Sequence, residues 1–137
     1  MEVSDKVWDL VNNRKETQGF LATCDGEGNV DVACFSSLRL HDRSTMTMSI
    51  GNNRTVRNLM QNPKAVFITA RGDKISNADG CRVYLRVIEL AETGSRYQQA
   101  EETAKEMVGP EAAEHVRAFI SFEVTETRPL IDMGQGV

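Results

Sequence analysis

At 137 residues the chain has the length of one domain, 1–137, and enough mass to bury a core. Its 40% hydrophobic and 26% charged residues are the proportions of a globular protein, and a net charge of −4 speaks against a general nucleic-acid binder, which carries a basic excess. No apolar run approaches the roughly 18 residues of a membrane span and MEVSDKVWDL is not a secretory signal, so a cytoplasmic protein with no membrane partner is expected.

The spacing of Val7, Leu10 and Val11 after Val3 predicts a short N-terminal helix, with Ser4 as its cap. The run GFLATCDGEGNVDVACFSSLRL reads as a β-hairpin. Phe20, Ala22 and Cys24 alternate, DGEGN supplies the turn, and Val30, Val32 and Cys34 resume the alternation. Asp31, Ala33, Phe35 and Ser37 lie on the other face of the second strand. After a tight turn at HDR, STMTMSI alternates Thr45, Thr47 and Ser49 against Met46, Met48 and Ile50.

A helix of about two turns follows, with Val56, Leu59 and Met60 as its apolar stripe and Asn62-Pro63 as its stop. AVFITA reads as a buried strand and RGDKISNADG as a polar loop, whose RGD tripeptide is incidental in a cytoplasmic chain. In CRVYLRVIEL the alternation of Cys81, Val83, Leu85 and Val87 shifts phase at Ile88 and Leu90, which predicts a bend or bulge. Ser95 opens a third helix with Tyr97, Ala100, Ala104, Met107 and Val108 inward and glutamates outward. Gly109-Pro110 breaks it and a short piece from Glu111 to Arg117 follows. FISFEVTETRPL closes the chain as a strand with Ile120, Phe122 and Val124 on one face. About six strands, mostly joined by hairpins, with helices inserted at three points, predict a small, mostly antiparallel barrel rather than a doubly wound parallel sheet.

Cys24, Cys34 and Cys81 are odd in number and lack CxxC spacing, so they read as free thiols in a reducing compartment. With His41 and His115 alone, a His-rich metal site is not expected. Gly26-Glu27-Gly28 joins two strands instead of opening a helix, which excludes a dinucleotide fingerprint, and no Walker A pattern occurs. The polar junction SIGNNRT is the better candidate. A helix N-terminus offers unpaired N–H groups and a favourable dipole to a phosphate. Arg54 sits in the first turn, where a cation is unfavourable without an anion, and Arg57 follows one turn on. Ser49 and Thr55 offer hydroxyls, and Asn52 or Asn53 can cap. From these residues alone, the junction reads equally as a capped helix with a solvated arginine.

The run GFLATCDGEGNVDVACFSSLRL…TMTMSIGNNRTVRNLMQNPKAVFI resembles the FMN-binding split-barrel family of the pyridoxamine 5′-phosphate oxidase-like superfamily. The shared features are the FLAT…DGEGNV hairpin, a polar second strand, a third strand, and an [RK]T pair opening a short helix followed by NP. The resemblance covers about residues 15–70. It implies a mainly β, six-stranded antiparallel split barrel that forms a homodimer with FMN at the subunit interface. It further implies that Arg54 and Thr55 hold the FMN phosphate beside Asn53, with Met48 and Ser49 along the ribityl chain. Cys34, Phe35, Ser36, Ser37 and Leu38 would border the isoalloxazine ring, partly through backbone groups, and Arg39 matches a basic position ending that stretch. Trp8 and Tyr84 are each able to stack on a flavin of the partner subunit or to pack within their own.

Authentic pyridoxamine phosphate oxidases begin the second-strand stretch with arginine where this chain has Cys34. They place lysine where it has Thr55, and they end in a basic, aromatic segment where it has TETRPLIDMGQGV. The resemblance therefore implies an FMN-dependent oxidoreductase with a small-molecule electron donor or acceptor, but not vitamin B6 oxidation. Alternatives are a non-catalytic FMN protein for storage or electron transfer, and a deazaflavin or haem on the same scaffold. No residue stands out as a general acid or base, so the flavin would carry the chemistry.

Overall fold

The computed structural model describes residues 1–13, 17–92 and 116–137, together with Gln98, Glu102 and Glu106. The expected third helix and the piece at 111–115 otherwise lie outside these residues. Gln98, Glu102 and Glu106 are helical and exposed, at the spacing of one outward face.

Helix α1 (Asp5–Asn12) begins as the sequence predicts. The Ser4 hydroxyl oxygen accepts from Val7 N at 3.2 Å, and Val7, Leu10 and Val11 are buried. Strands β1 (Gln18–Cys24) and β2 (Val30–Cys34) form the first hairpin, β3 (Arg39–Leu40) and β4 (Thr45–Gly51) the second. Helix α2 (Arg54–Gln61) leads into β5 (Lys64–Arg71), and the long strands β6 (Asp79–Ala91) and β7 (Val116–Pro129) complete the sheet. The order is β2-β1-β5-β6-β7-β4-β3, antiparallel throughout.

The fold is the mainly β split barrel that the resemblance implies, with seven strands instead of six. The seventh is the two-residue β3, because residues 35–38 leave the sheet between β2 and β3. A second correction lies at the start of β7, where Val116 and Arg117 already belong to the strand, Val116 paired with Gly51, instead of ending a separate piece.

Two local chemistries set the turns. In the first hairpin the Asp25 carboxylate accepts from the Asn29 side chain and from the N–H groups of Asn29 and Glu27, which lowers its pKa, and Gly28 takes the positive φ of 89° that the turn requires. In the second, Asp42 Oδ1 accepts from Ser44 N and Thr45 N, both at 2.8 Å. The edge of β3 is closed by Asn12, whose amide donates to Leu40 O and accepts from Leu40 N, so α1 covers an otherwise unpaired backbone.

One face of the sheet makes the core. Met46, Met48 and Ile50 of β4 meet Ile120, Phe122 and Val124 of β7, with Leu21, Phe67, Val83 and Leu85 from the other strands. Helix α2 contributes Val56 and Leu59, but Met60, expected inward, is exposed, and Asn58 is buried in its stead. Asn58 Nδ2 donates to Thr23 Oγ1 at 3.1 Å, a buried bond that fixes α2 on the first hairpin. The bulge expected near Ile88 is present. Val87 faces Phe122 and Glu89 faces Ser121, which leaves Ile88 unpaired and exposed. Cys81 lies in the core, where burial pushes its thiol up to about 12, so it stays protonated across the physiological range. The RGD arginine is engaged within the domain, since Arg71 pairs with Asp9 and Asp79, each at 3.4 Å. Neither described helix is long and apolar enough to cross a membrane.

Candidate functional site

The two ends of the sheet order, β2 and β3, are consecutive in the chain, so the stretch Phe35–Leu38 is the seam that joins one edge of the sheet to the other. Hydrogen bonds at Phe35 and Ser37 hold it. Phe35 N donates to Gly19 O at 3.1 Å, and Ser37 Oγ donates to Ser49 O at 2.7 Å. The second bond brings the seam against the C-terminal half of β4, and β4 runs through Gly51–Asn53 into α2. The expected site residues Ser37, Ser49, Asn53 and Arg54 thus share one region although they derive from two separate segments.

Their side chains are not equally available. Cys34, Ser36 and Arg39 are exposed, and Phe35, Ser37 and Ser49 are half-buried. Leu38 and Met48 are buried in the core, so each can offer a ligand only its backbone. Thr55 is 2% exposed, which withdraws its hydroxyl and leaves its N–H as the group nearest the helix end.

At the start of α2 the Asn53 side chain accepts from Val56 N at 3.0 Å, fixing Asn53 rather than Asn52 as the cap. The N–H groups of Arg54 and Thr55 have no partner within the helix, as the first turn dictates. The Arg54 side chain is 72% exposed, and among the described residues the carboxylate it pairs with, Asp31 on β2, is 4.0 Å away. An exposed pair at that distance contributes little, so Arg54 remains available to an incoming anion. Arg57 is exposed one turn further on. Sequence reasoning missed a third arginine here, Arg117 of β7, whose Nη1 donates to Asn52 Oδ1 at 2.9 Å. No local pattern announces a contact between residues 65 positions apart.

The outward face of the first hairpin is the other feature. Phe20, Ala22 and Cys24 pair with Cys34, Val32 and Val30, as the alternation predicts, but the face they form points away from the core, and Leu21 and Thr23 fill the interior. The row Val32–Ala22–Val66–Tyr84 continues across four strands, with Phe20–Ile68 beside it. This face holds an open depression of about 600 Å³ with an apolar floor of Ala22, Val30, Val32 and Val66. Lys64, Arg86 and Asp31 also line it, and Asp31 is the residue whose carboxylate lies 4.0 Å from Arg54. Tyr84 faces this depression, whereas Trp8 packs on the core beneath the Arg43 guanidinium, 4.9 Å from its ring centre.

No protein-family model and no curated protein matches the sequence. Solved structures do match the fold. An FMN-binding protein from Syntrophomonas wolfei superposes with a TM-score of 0.80 at 21% identity, over 93% of this chain and 85% of that one. HupZ of Group A Streptococcus gives 0.77 at 23% identity over 98% of both chains. HutZ, the haem storage protein of Vibrio cholerae, gives 0.66 at 16% identity over 98% of this chain and 93% of its own. The chain therefore shares the fold of these proteins, a mainly antiparallel split barrel.

Proposed function

We propose that the protein is an FMN-binding flavoprotein, an FMN-dependent oxidoreductase that works as a homodimer with the cofactor at the subunit interface. The observation that carries this reading is the start of α2. Two unpaired backbone N–H groups, a favourable dipole and the weakly engaged Arg54 guanidinium converge there, close to the seam that Ser37 ties to β4. The arrangement fits FMN at both ends. A phosphate meets N–H groups and a cation, and a flat apolar ring meets the seam and an uncovered sheet face. Bound FMN would supply the hydride or electron chemistry. The chain's own contribution is binding, orientation and access, since the seam side chains of Cys34, Phe35, Ser36, Ser37 and Leu38 include no carboxylate and no histidine.

The test is flavin titration of the protein and its Arg54→Ala variant. Charge-assisted hydrogen bonds from the guanidinium to the phosphate are worth about 1.5–3 kcal/mol, so the variant should bind FMN about ten- to a hundredfold more weakly. Riboflavin, which lacks the phosphate, should bind both proteins alike, and Arg57→Ala should change little. Equal FMN affinity in Arg54→Ala and parent would show the junction to be an ordinary helix cap.

The absence of acids and bases along the seam equally suits a non-catalytic FMN protein for storage or electron transfer. Stopped-flow mixing with NADH or NADPH separates the two. An oxidoreductase should reduce bound FMN at a rate that saturates with donor concentration, while slow reduction independent of the donor would assign the carrier or storage role. Because the matching folds include a haem storage protein, titration with haem and with a deazaflavin belongs beside the FMN experiment.

A further inference from the structure

Strand β7 enters the sheet with one residue more than its partner can pair. Ile50 faces Ala118 and Gly51 faces Val116, so Arg117 is left over at a bulge. A bulge re-aims the side chain of the residue it sets apart. Here the guanidinium reaches the loop between β4 and α2, with Nη1 donating to Asn52 Oδ1 at 2.9 Å. Its Nε and Nη2 both donate to Glu92 Oε1, at 3.2 and 3.1 Å. One side chain thus ties the exit of β4 to the end of β6 and the start of β7.

Asn52 directly precedes Asn53, whose side chain caps α2. Whatever fixes Asn52 fixes the approach to that cap, and with it the direction of the Arg54 and Thr55 N–H groups. We infer that Arg117 is a positioning residue for the proposed phosphate site and acts through Asn52. The inference rests on the reading of this junction as the place where the FMN phosphate binds. Glu92 neutralises the guanidinium, so the effect of Arg117 is geometric, not a matter of added positive charge. Arginine suits that role because its planar fork bonds two acceptors in different directions. A lysine at this position would keep the charge and lose the fork.

The experiment compares FMN and riboflavin affinities of the parent, Arg117→Ala, Arg117→Lys, Asn52→Ala and the Arg117→Ala/Asn52→Ala double variant. The melting midpoint of each flavin-free protein is measured alongside. Each single variant, lysine included, should lose about five- to tenfold in FMN affinity, the scale of one ordinary hydrogen bond. Riboflavin binding and the flavin-free midpoint should not change. The double variant should lose no more than either single one, because both substitutions break the same link. Unchanged FMN affinity in Arg117→Ala, full rescue by Arg117→Lys, equal loss of both flavins, or losses that add in the double variant would each overturn the inference. Arg54→Ala decides the underlying reading separately. If it weakens FMN and Arg117→Ala does not, the positioning role falls and the phosphate site stands. If neither weakens FMN, the site itself falls.

Discussion

Phe67→Ala should destabilise the protein by about 3–5 kcal/mol, the range for truncating a buried aromatic. Phe67 is fully buried on β5, near the middle of the sheet order, and its register partners Leu21 and Val83 are fully buried too. With neighbours fixed by hydrogen bonding on both sides, the backbone cannot close inward over the space left by the ring. The loss therefore combines the transfer of the ring with a cavity that does not collapse. Against a typical total of about 5–15 kcal/mol, that is a large fraction of the stability of a single domain. Urea unfolding would show it as a lower midpoint at unchanged slope. A loss under about 1 kcal/mol would mean that the core around Phe67 repacks freely, contrary to its central place in the sheet.

What was legible in the sequence is what short-range physics determines. The cap of α1 is a hydroxyl three residues before the N–H it accepts from, and the turns rest on aspartates bonded to N–H groups two to four residues on. The bulge at Ile88 shows as a phase slip within one strand. The alternation in β1 and β2 was equally visible, but not its direction. Phe20 and Leu21 are neighbours of similar hydrophobicity, and only the pairing of β1 with β5 sets Leu21 inside, opposite Phe67. Met60 lost its inward place to Asn58 for the same kind of reason. A polar residue is buried because Thr23, on another element, offers it a partner. At the site, the helix end was readable from SIGNNRT, since capping and dipole are local. The Ser37–Ser49 bond that brings the seam to it depends on the whole sheet, as does the Arg117–Asn52 bond.

Val32→Glu should convert the proposed homodimer into a monomer. Val32 is 64% exposed on the edge strand β2, and Val30 beside it on the same face is 81% exposed. With Phe20, Ala22, Val66 and Ile68 they form a continuous apolar surface of the kind that marks an interaction site. If two copies bury this face about a two-fold axis, the substitution is placed twice in the same interface, one glutamate from each copy. Burying carboxylates without partners costs several kcal/mol apiece, enough to raise the dimer dissociation constant by more than about a hundredfold. The monomer itself should keep its fold, because an exposed edge position tolerates substitution within about 0.5 kcal/mol. Sedimentation velocity at micromolar protein should therefore show the parent at twice the monomer mass and Val32→Glu at the monomer mass, with matching far-ultraviolet spectra. FMN should bind the variant far more weakly, since its ring would lose the cover of the second subunit. Ile75→Glu is the control. Ile75 is 84% exposed but lies on the 3₁₀ turn Ile75–Asn77, outside the apolar face, so that variant should remain dimeric and bind FMN as the parent does. A Val32→Glu protein that stays dimeric would move the interface to another surface, and a parent that sediments as a monomer with FMN bound would remove the second subunit from the site altogether.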